Sequence, residues 1–224
     1  MTISVVIPTL NEAAELPATL RHVRAVPEVS EILVSDGGSG DDTVAVARTA
    51  GARVLTGPAG RGGQLRRGAE AATGSVILLL HADTWLPPDA GDALATILSD
   101  PKVIGGAFSK VFRDPPWLTY GSRWRCRWRM RVFQFAYGDQ AIFVRREALI
   151  RAGGVPDLPL MEEHYLCAAL RRWGRLELAP ATVSTSARRF RQRGPLRTYL
   201  LMGWVTARHW MGATPAELRR VYER

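Results

Sequence analysis

The sequence predicts an open, mostly parallel α/β sheet flanked by helices, and three observations carry that prediction. Short runs of Val, Ile and Leu recur through the first hundred residues, the runs are continuous rather than alternating, and helix-patterned segments separate them. Continuous apolar runs mark strands buried on both faces, as in a parallel sheet. Helices interleaved with such strands make right-handed crossovers. Residues 3–8, 31–35, 53–56 and 75–80 read as strands, and residues 13–26, 41–50 and 63–72 as the helices between them. Asp41 or Asp42 is placed to cap the second helix. Beyond residue 100 the regularity weakens. Residues 103–112 and 140–145 read as strands, and residues 147–152 as a short helix stopped by Gly153-Gly154. A helix over 163–173 ends at Gly174, and helices over 196–211 and 215–222 close the chain. Thr214 and Pro215 supply the cap and first residue of the last one.

A length of 224 residues suits one domain with an elaborated end. A hydrophobic content of 46% beside 23% charged residues excludes a disordered chain. Cys126 and Cys167 form no CxxC pair, which excludes a disulfide framework and a cysteine-rich zinc site and fits a reducing compartment. The first residues lack the charged region and cleavage site of a signal peptide, and the apolar stretches 76–80 and 200–207 fall short of the ~20 residues that span a bilayer. The expectation is a cytoplasmic protein. Its charge is segregated: residues 1–112 carry a net −3 and residues 113–224 a net +12, and 28 of the 30 basic residues are arginine. A GC-rich genome accounts for arginine over lysine but not for the segregation, which points to a polyanionic partner on the C-terminal side.

Ligands of open α/β sheets bind outside the carboxyl ends of the strands. Thr9-Leu10-Asn11-Glu12 follows the first strand, Asp36-Gly37-Gly38-Ser39-Gly40-Asp41-Asp42 the second, and His81-Ala82-Asp83-Thr84 the fourth. Three acid-bearing loops should therefore meet along one edge. Asp41 and Asp42 are better explained as helix caps. Asp83 emerges from the most buried strand two residues after His81, a pattern suited to a hard divalent cation that also holds a diphosphate. The run Gly57–Gly63 fails the dinucleotide spacing, since Leu65 stands where a third glycine is needed, and no GxxxxGK[ST] occurs. It reads as a flexible loop carrying Arg61, Gln64, Arg66 and Arg67 toward phosphates. In the basic half, Tyr137-Gly138-Asp139-Gln140 sets a carboxylate before a strand, and Met161-Glu162-Glu163-His164 sets two at a helix start. The helix dipole alone favours acids there; the functional reading makes one of them a general base on an incoming hydroxyl.

These segments, in this order and spacing, resemble the family-2 glycosyltransferases of GT-A fold. Val6-Ile7-Pro8-Thr9-Leu10-Asn11-Glu12, Ser35-Asp36-Gly37-Gly38-Ser39, Leu80-His81-Ala82-Asp83-Thr84, Gly138-Asp139-Gln140 and Gly153-Gly154-Val155-Pro156 leading to Met161-Glu162-Glu163 carry the resemblance over residues 2–175. It looks closest to a small bacterial subgroup associated with radical-SAM/selenodomain proteins, and Ser186-Ala187-Arg188-Arg189 fills that subgroup's next segment. The resemblance implies inverting transfer of a sugar from a nucleotide-diphosphate donor, UDP being the preferred nucleotide. It implies that Pro8, Thr9 and Glu12 line the nucleoside pocket and that Asp36, with Gly38, contacts base or ribose. Arg61, Gln64, Ala82 and Arg189 join the donor site. Asp83, with His81 in place of the usual first aspartate, would bind Mg²⁺ or Mn²⁺. Glu163 stands at the place of the catalytic base, with Glu162 beside it and Asp139 competing for the role. Residues 1–100 would form the nucleotide-binding half, 101–185 the acceptor half and 186–224 a basic helical extension.

On the acceptor side, Arg123, Arg125, Arg127, Arg129 and Arg131 alternate with Trp124, Cys126, Trp128 and Met130. As a strand this gives one basic and one apolar face; as a helix it spreads charge all round. Tryptophan with arginine suits an anionic membrane surface or a lipid-phosphate acceptor, single-stranded nucleic acid, or a packed face with solvated arginines. The reading adopted is a cytoplasmic transferase acting on a hydroxyl or lipid phosphate, with an anionic surface at the inner face of the membrane as a candidate partner and nucleic acid disfavoured. A sugar-1-phosphate nucleotidyltransferase would need a glycine-rich basic loop after the first strand, and Thr9–Glu12 is not one. The alternative from another class is a catalytically silent nucleotide- or nucleic-acid-binding protein on the same fold.

Overall fold

The computed structural model describes residues 1–113, 117 and 121–222. Its strands are β1 (Ile3–Thr9), β2 (Val29–Asp36), β3 (Arg53–Thr56), β4 (Val76–Leu79), β5 (Thr84–Trp85), β6 (Val103–Phe112), β7 (Ile142–Arg145) and β8 (Arg175–Thr185). Its helices are α1 (Leu16–Arg24), α2 (Thr43–Thr49), α3 (Arg61–Ala71), α4 (Ala90–Ile97), α5 (Ser122–Phe133), α6 (Arg146–Arg151), α7 (Glu162–Leu170), α8 (Arg188–Arg193), α9 (Pro195–Trp210) and α10 (Pro215–Tyr222). The strands form one mixed sheet in the order β3-β2-β1-β4-β7-β6-β8-β5. The four predicted N-terminal strands are all present and pair in parallel, which brings their carboxyl ends to one edge. Beyond β4 the sheet turns antiparallel through β7 and β6, and β8 then runs parallel to β6.

Continuous burial along β1 and β4 explains their unbroken apolar sequence, because helices cover both faces. On one side Val5, Ile7 and Leu78 pack with Leu16, Leu20 and Leu94. On the other Val6, Ile77 and Leu79 pack with Leu65, Val144 and Leu166. Both cysteines are buried and free.

Several expectations are corrected by the structure. The segment over 57–63 is not a loop throughout, for α3 begins at Arg61, two residues before the predicted start. The predicted strand over 140–145 starts at Ile142, after a 3₁₀ turn over Gly138–Gln140. Arg123–Arg131 lies on a helix, and its charge does not run all round: Ser122, Cys126 and Met130, four residues apart, face inward. The eleven-residue β8 had no sequence-based prediction. Its register against β6 slips past Pro180 and Ala181, so a bulge absorbs the proline that cannot donate to a ladder.

The bend between the two halves of the sheet is filled by Phe108 of β6 and Phe143 of β7, both fully buried, with rings edge-on at 5.9 Å. Truncating one removes its transfer free energy and leaves a cavity that the bent sheet cannot close. Phe143→Ala is expected to lower the unfolding free energy by about 3–5 kcal/mol in urea titrations; a loss below about 1 kcal/mol would show that this junction is loosely packed.

Candidate active site

The loops that follow β1, β3 and β4 open onto a cleft of about 790 Å³, within the usual range for small-molecule sites. Pro8, Thr9 and Glu12 after β1, His81, Ala82 and Asp83 after β4, and Arg61 and Gln64 of α3 line its floor. Asp139 and Glu163 face it from the acceptor half, and Arg188, Arg189 and Arg193 of α8 with Met202, Val205 and Thr206 of α9 form a wall. Eleven of the fourteen residues singled out in the sequence therefore meet here; Asp36, Gly38 and Glu162 lie outside the lining.

Asp36 is buried at the end of β2, where its carboxylate accepts hydrogen bonds from the Ser39 and Thr9 hydroxyls and from the backbone N–H groups of Gly38 and Ser39. Burial alone would raise its pKa, but these donors outweigh burial and hold it below the ordinary aspartate range. Asp36 thus shapes the loop that carries Gly38. The neighbouring loop is laced to it: Asn11 N–H donates to Ser39 Oγ and Gly40 N–H to Asn11 Oδ1, each at 2.9 Å. Asp41 accepts the Thr43 N–H at 3.0 Å in a local turn before α2, while Asp42, which stands at the N-cap, makes no side-chain cap, so neither aspartate caps the helix as expected. Gln64 closes the floor, its amide donating to the carbonyls of Thr9 at 2.7 Å and Ser35 at 2.8 Å.

Arg61, at the first turn of α3, joins the two halves. Its Nε donates to Glu162, its Nη2 lies 3.0 Å from Glu163 Oε2, and its Nη1 lies 3.4 Å from His81 Nε2. Two glycines allow this approach. A Cβ on Gly62 would fall 2.5 Å from Leu158 O, and one on Gly138 would fall 2.7 Å from His81 Nε2. Met161, with φ of 66°, turns the chain into α7 so that both glutamates project back toward Arg61.

The carboxylates are sorted by their partners. Burial raises Glu163, but the Arg61 guanidinium, its own backbone N–H and that of Gly138 outweigh it and keep it below the ordinary range. Glu162 is pushed up to about 7 by burial and then by the Glu163 charge, against the pull of Arg61. Asp139, half-buried and ion-paired with Lys110, stays below its ordinary range because that ammonium outweighs desolvation. Glu12 is held by Arg188 in a bidentate pair of 3.1 and 2.7 Å. His81 is lowered to about 4 by burial and by Arg61, so its imidazole is neutral at pH 7.

Asp83 differs from the other carboxylates of the cleft. Among the described residues no hydrogen bond or ion pair engages its side chain, and burial raises it to about 6 against the opposing pull of Arg188 and Arg113. Among the described residues no three His, Cys, Asp or Glu side chains converge as a cage. Magnesium-like ions are commonly held by one or two carboxylates with substrate phosphates completing the shell, and Asp83 fits that use. His81 fits it less well, because its Nε2 is turned to a guanidinium.

Two further residues of the site were not singled out in the sequence. Lys110 is the lone charge in the apolar run of β6, and that anomaly was its signal. Arg188 stands one position before the chosen Arg189, whose own guanidinium pairs with the Tyr222 hydroxyl and ring.

The sequence model described as glycosyl transferase family 2 matches residues 4–153. An uncharacterised glycosyltransferase of Mycobacterium bovis is 34% identical over 164 residues, which cover 68% of this chain and 72% of that one. An undecaprenyl-phosphate 4-deoxy-4-formamido-L-arabinose transferase of Pseudomonas syringae is 28% identical over 133 residues, covering 54% of this chain and 40% of that one. Among solved structures, glucosyl-3-phosphoglycerate synthase of Mycobacterium tuberculosis, in complex with Mn²⁺, UDP-glucose and phosphoglyceric acid, is 25% identical with a TM-score of 0.59. That likeness covers 83% of this chain and 70% of the synthase.

The raised Glu162 carboxyl has a consequence for stability. Between pH ~4.5 and ~7 the native protein keeps a proton that the unfolded chain has released, so stability falls as pH rises through that window. In Glu162→Gln the loss of unfolding free energy between pH 5 and pH 8 should be smaller than in wild type by about 1–3 kcal/mol. Urea titrations at the two pH values measure it, and an unchanged pH dependence would contradict the assignment.

Proposed function

The chain belongs to glycosyl transferase family 2, and we propose that it moves a sugar from a nucleotide-diphosphate donor, UDP first, to an acceptor hydroxyl or lipid phosphate with inversion. The single observation that carries this reading is the uncommitted Asp83 carboxylate at the carboxyl edge of the parallel strands, in a cleft where every other lining carboxylate already has a cationic partner. In this reading residues 1–100 are the nucleotide side, 101–185 the acceptor side and 186–224 the basic extension, whose helices α8 and α9 line the cleft. The UDP preference draws support from the mycobacterial synthase crystallised with UDP-glucose and Mn²⁺. The lipid-phosphate option draws support from the undecaprenyl-phosphate transferase.

In this reading Pro8, Thr9 and Glu12 border the nucleoside, and Asp36 acts on it through the loop it shapes. Asp83 would hold Mg²⁺ or Mn²⁺ at the diphosphate, and such an ion would supply positive charge against that growing on the leaving group. Arg189 faces the same cleft and adds fixed positive charge. The acceptor oxygen attacks the anomeric carbon from the face opposite the diphosphate; the new carbon–oxygen bond forms as the bond to the diphosphate oxygen breaks. Glu163, ionised and fixed by Arg61, accepts the proton when the acceptor is a hydroxyl. A phosphate acceptor needs no base, and there Glu163 would only position. Asp139 is the second candidate base, because its Oδ1 is buried without a hydrogen-bond partner among the described residues.

The test is thermal unfolding with UDP, GDP, CDP or ADP, each with Mn²⁺ or with EDTA. One nucleotide, expected to be UDP, should stabilise the wild type by about 2.7 kcal/mol at a hundred times its dissociation constant. That gain should need Mn²⁺, vanish in Asp83→Ala and persist in Glu163→Gln. No stabilisation by any nucleotide would overturn the donor site and favour a catalytically silent protein.

A further inference from the structure

The helical extension turns the wrong face outward for a water-exposed helix. Around α9, Thr198 and Val205 are buried and Met202, Val205 and Thr206 line the cleft. The opposite face carries Leu196, Leu200, Trp204, Ala207 and Met211, at intervals of three to four residues and with no charge among them. Leu200 is 65% exposed and Trp204 45%. Arg197 and Arg208 flank this stripe. Helix α5 repeats the arrangement, with Trp124, Trp128 and Val132 exposed four residues apart between Arg123, Arg127 and Arg131.

The two stripes belong to one surface. Trp128 meets Phe133 at 5.2 Å between ring centroids, and Phe133 meets Trp210 of α9 at 5.6 Å. Near the helix starts, Arg125 stacks over Tyr199 at 5.8 Å and donates to its hydroxyl. The helices therefore lie side by side with apolar faces continuous. Contiguous exposed apolar surface of this kind marks an interaction site.

Charge decides the occupant. From residue 115 to 138 the sequence has five arginines and no acid, and from 178 to 216 it has six arginines and no acid. A face of tryptophan and leucine on two helices that carry arginine and no acid of their own matches the boundary between anionic headgroups and acyl chains. It would repel a second copy of itself. No helix among the described residues is long and apolar enough to cross a membrane, so the match is to a surface.

We propose that the joined outer faces of α5 and α9 seat the protein on an anionic phospholipid bilayer. The docking stands on this surface alone. What it serves rests on the transferase reading: α9 is one helix thick between bilayer and cleft, so a lipid-borne acceptor would reach the site beside α8 and α9.

The experiment is co-sedimentation of the full chain with vesicles of phosphatidylcholine alone or mixed equally with phosphatidylglycerol. Binding to the anionic vesicles should be at least about tenfold the stronger. It should fall about tenfold in the double variant Trp124→Ser/Trp204→Ser, and lose its anionic preference in Arg127→Glu/Arg131→Glu. These exposed substitutions should leave the melting temperature and the nucleotide-induced shift unchanged, which separates failure of docking from failure of the donor site. No binding to anionic vesicles, or equal binding by the tryptophan variant, would overturn the proposal. So would a wild-type dimer in sedimentation velocity that the tryptophan variant lacks, since the face would then belong to a second copy.

Discussion

One guanidinium organises the cleft. Arg61 leaves the first turn of α3, in the half built from parallel strands, and meets Glu162 and Glu163 at the start of α7 in the other half. Two adjacent buried carboxylates cannot both ionise without a cation between them. Arg61 resolves the conflict unequally: it holds Glu163 charged and leaves Glu162 as the group that keeps a proton longer. The same side chain faces His81 and, with burial, keeps that imidazole neutral. The charge states of Glu162, Glu163 and His81 are thus set by burial together with this one side chain. The close approach that permits it is written in Gly62 and Gly138, where any side chain would collide.

The rest of the site follows a similar rule of paired charges. Glu12 has Arg188, Asp139 has Lys110, and Glu15 has Arg113, whose guanidinium also stacks 3.8 Å over Trp85. Two of these pairs, Glu12–Arg188 and Glu15–Arg113, tie the segment before α1 to the second half, and the third joins β6 to the turn before β7 within it. The cations come from β6, the segment after it and α8, all in or beside the basic half of the sequence. Segregated charge along the chain becomes complementary charge across the cleft. The surplus of arginine lies on α5, α8 and α9, where acids are absent.

Legibility in the sequence followed burial. Strands β1, β2, β3 and β4 announced themselves because burial on both faces demands unbroken apolar runs, and the loops that follow β1, β2 and β4 placed Thr9, Asp36 and Asp83 at one edge. Strand β8 did not, because Pro180 and the polar residues around it mimic a loop; only pairing with β6 rescues it, by a bulge. The start of α3 was hidden by glycine, which lowers helix propensity yet is required here for packing. Which acids share the cleft was readable from strand ends and a resemblance. Which cation each acid takes was not, since Arg61 and Glu163 are 102 positions apart and only the fold brings them together.

The account turns on the Arg61 bridge, and a double-mutant cycle measures it without substrate. Unfolding free energies of wild type, Arg61→Met, Glu163→Gln and the double variant give the coupling between the two side chains. The account predicts a favourable coupling of about 1–3 kcal/mol, with the double variant less destabilised than the two single losses together. Additivity within about 0.5 kcal/mol would contradict it, and the two halves of the site would then be positioned independently.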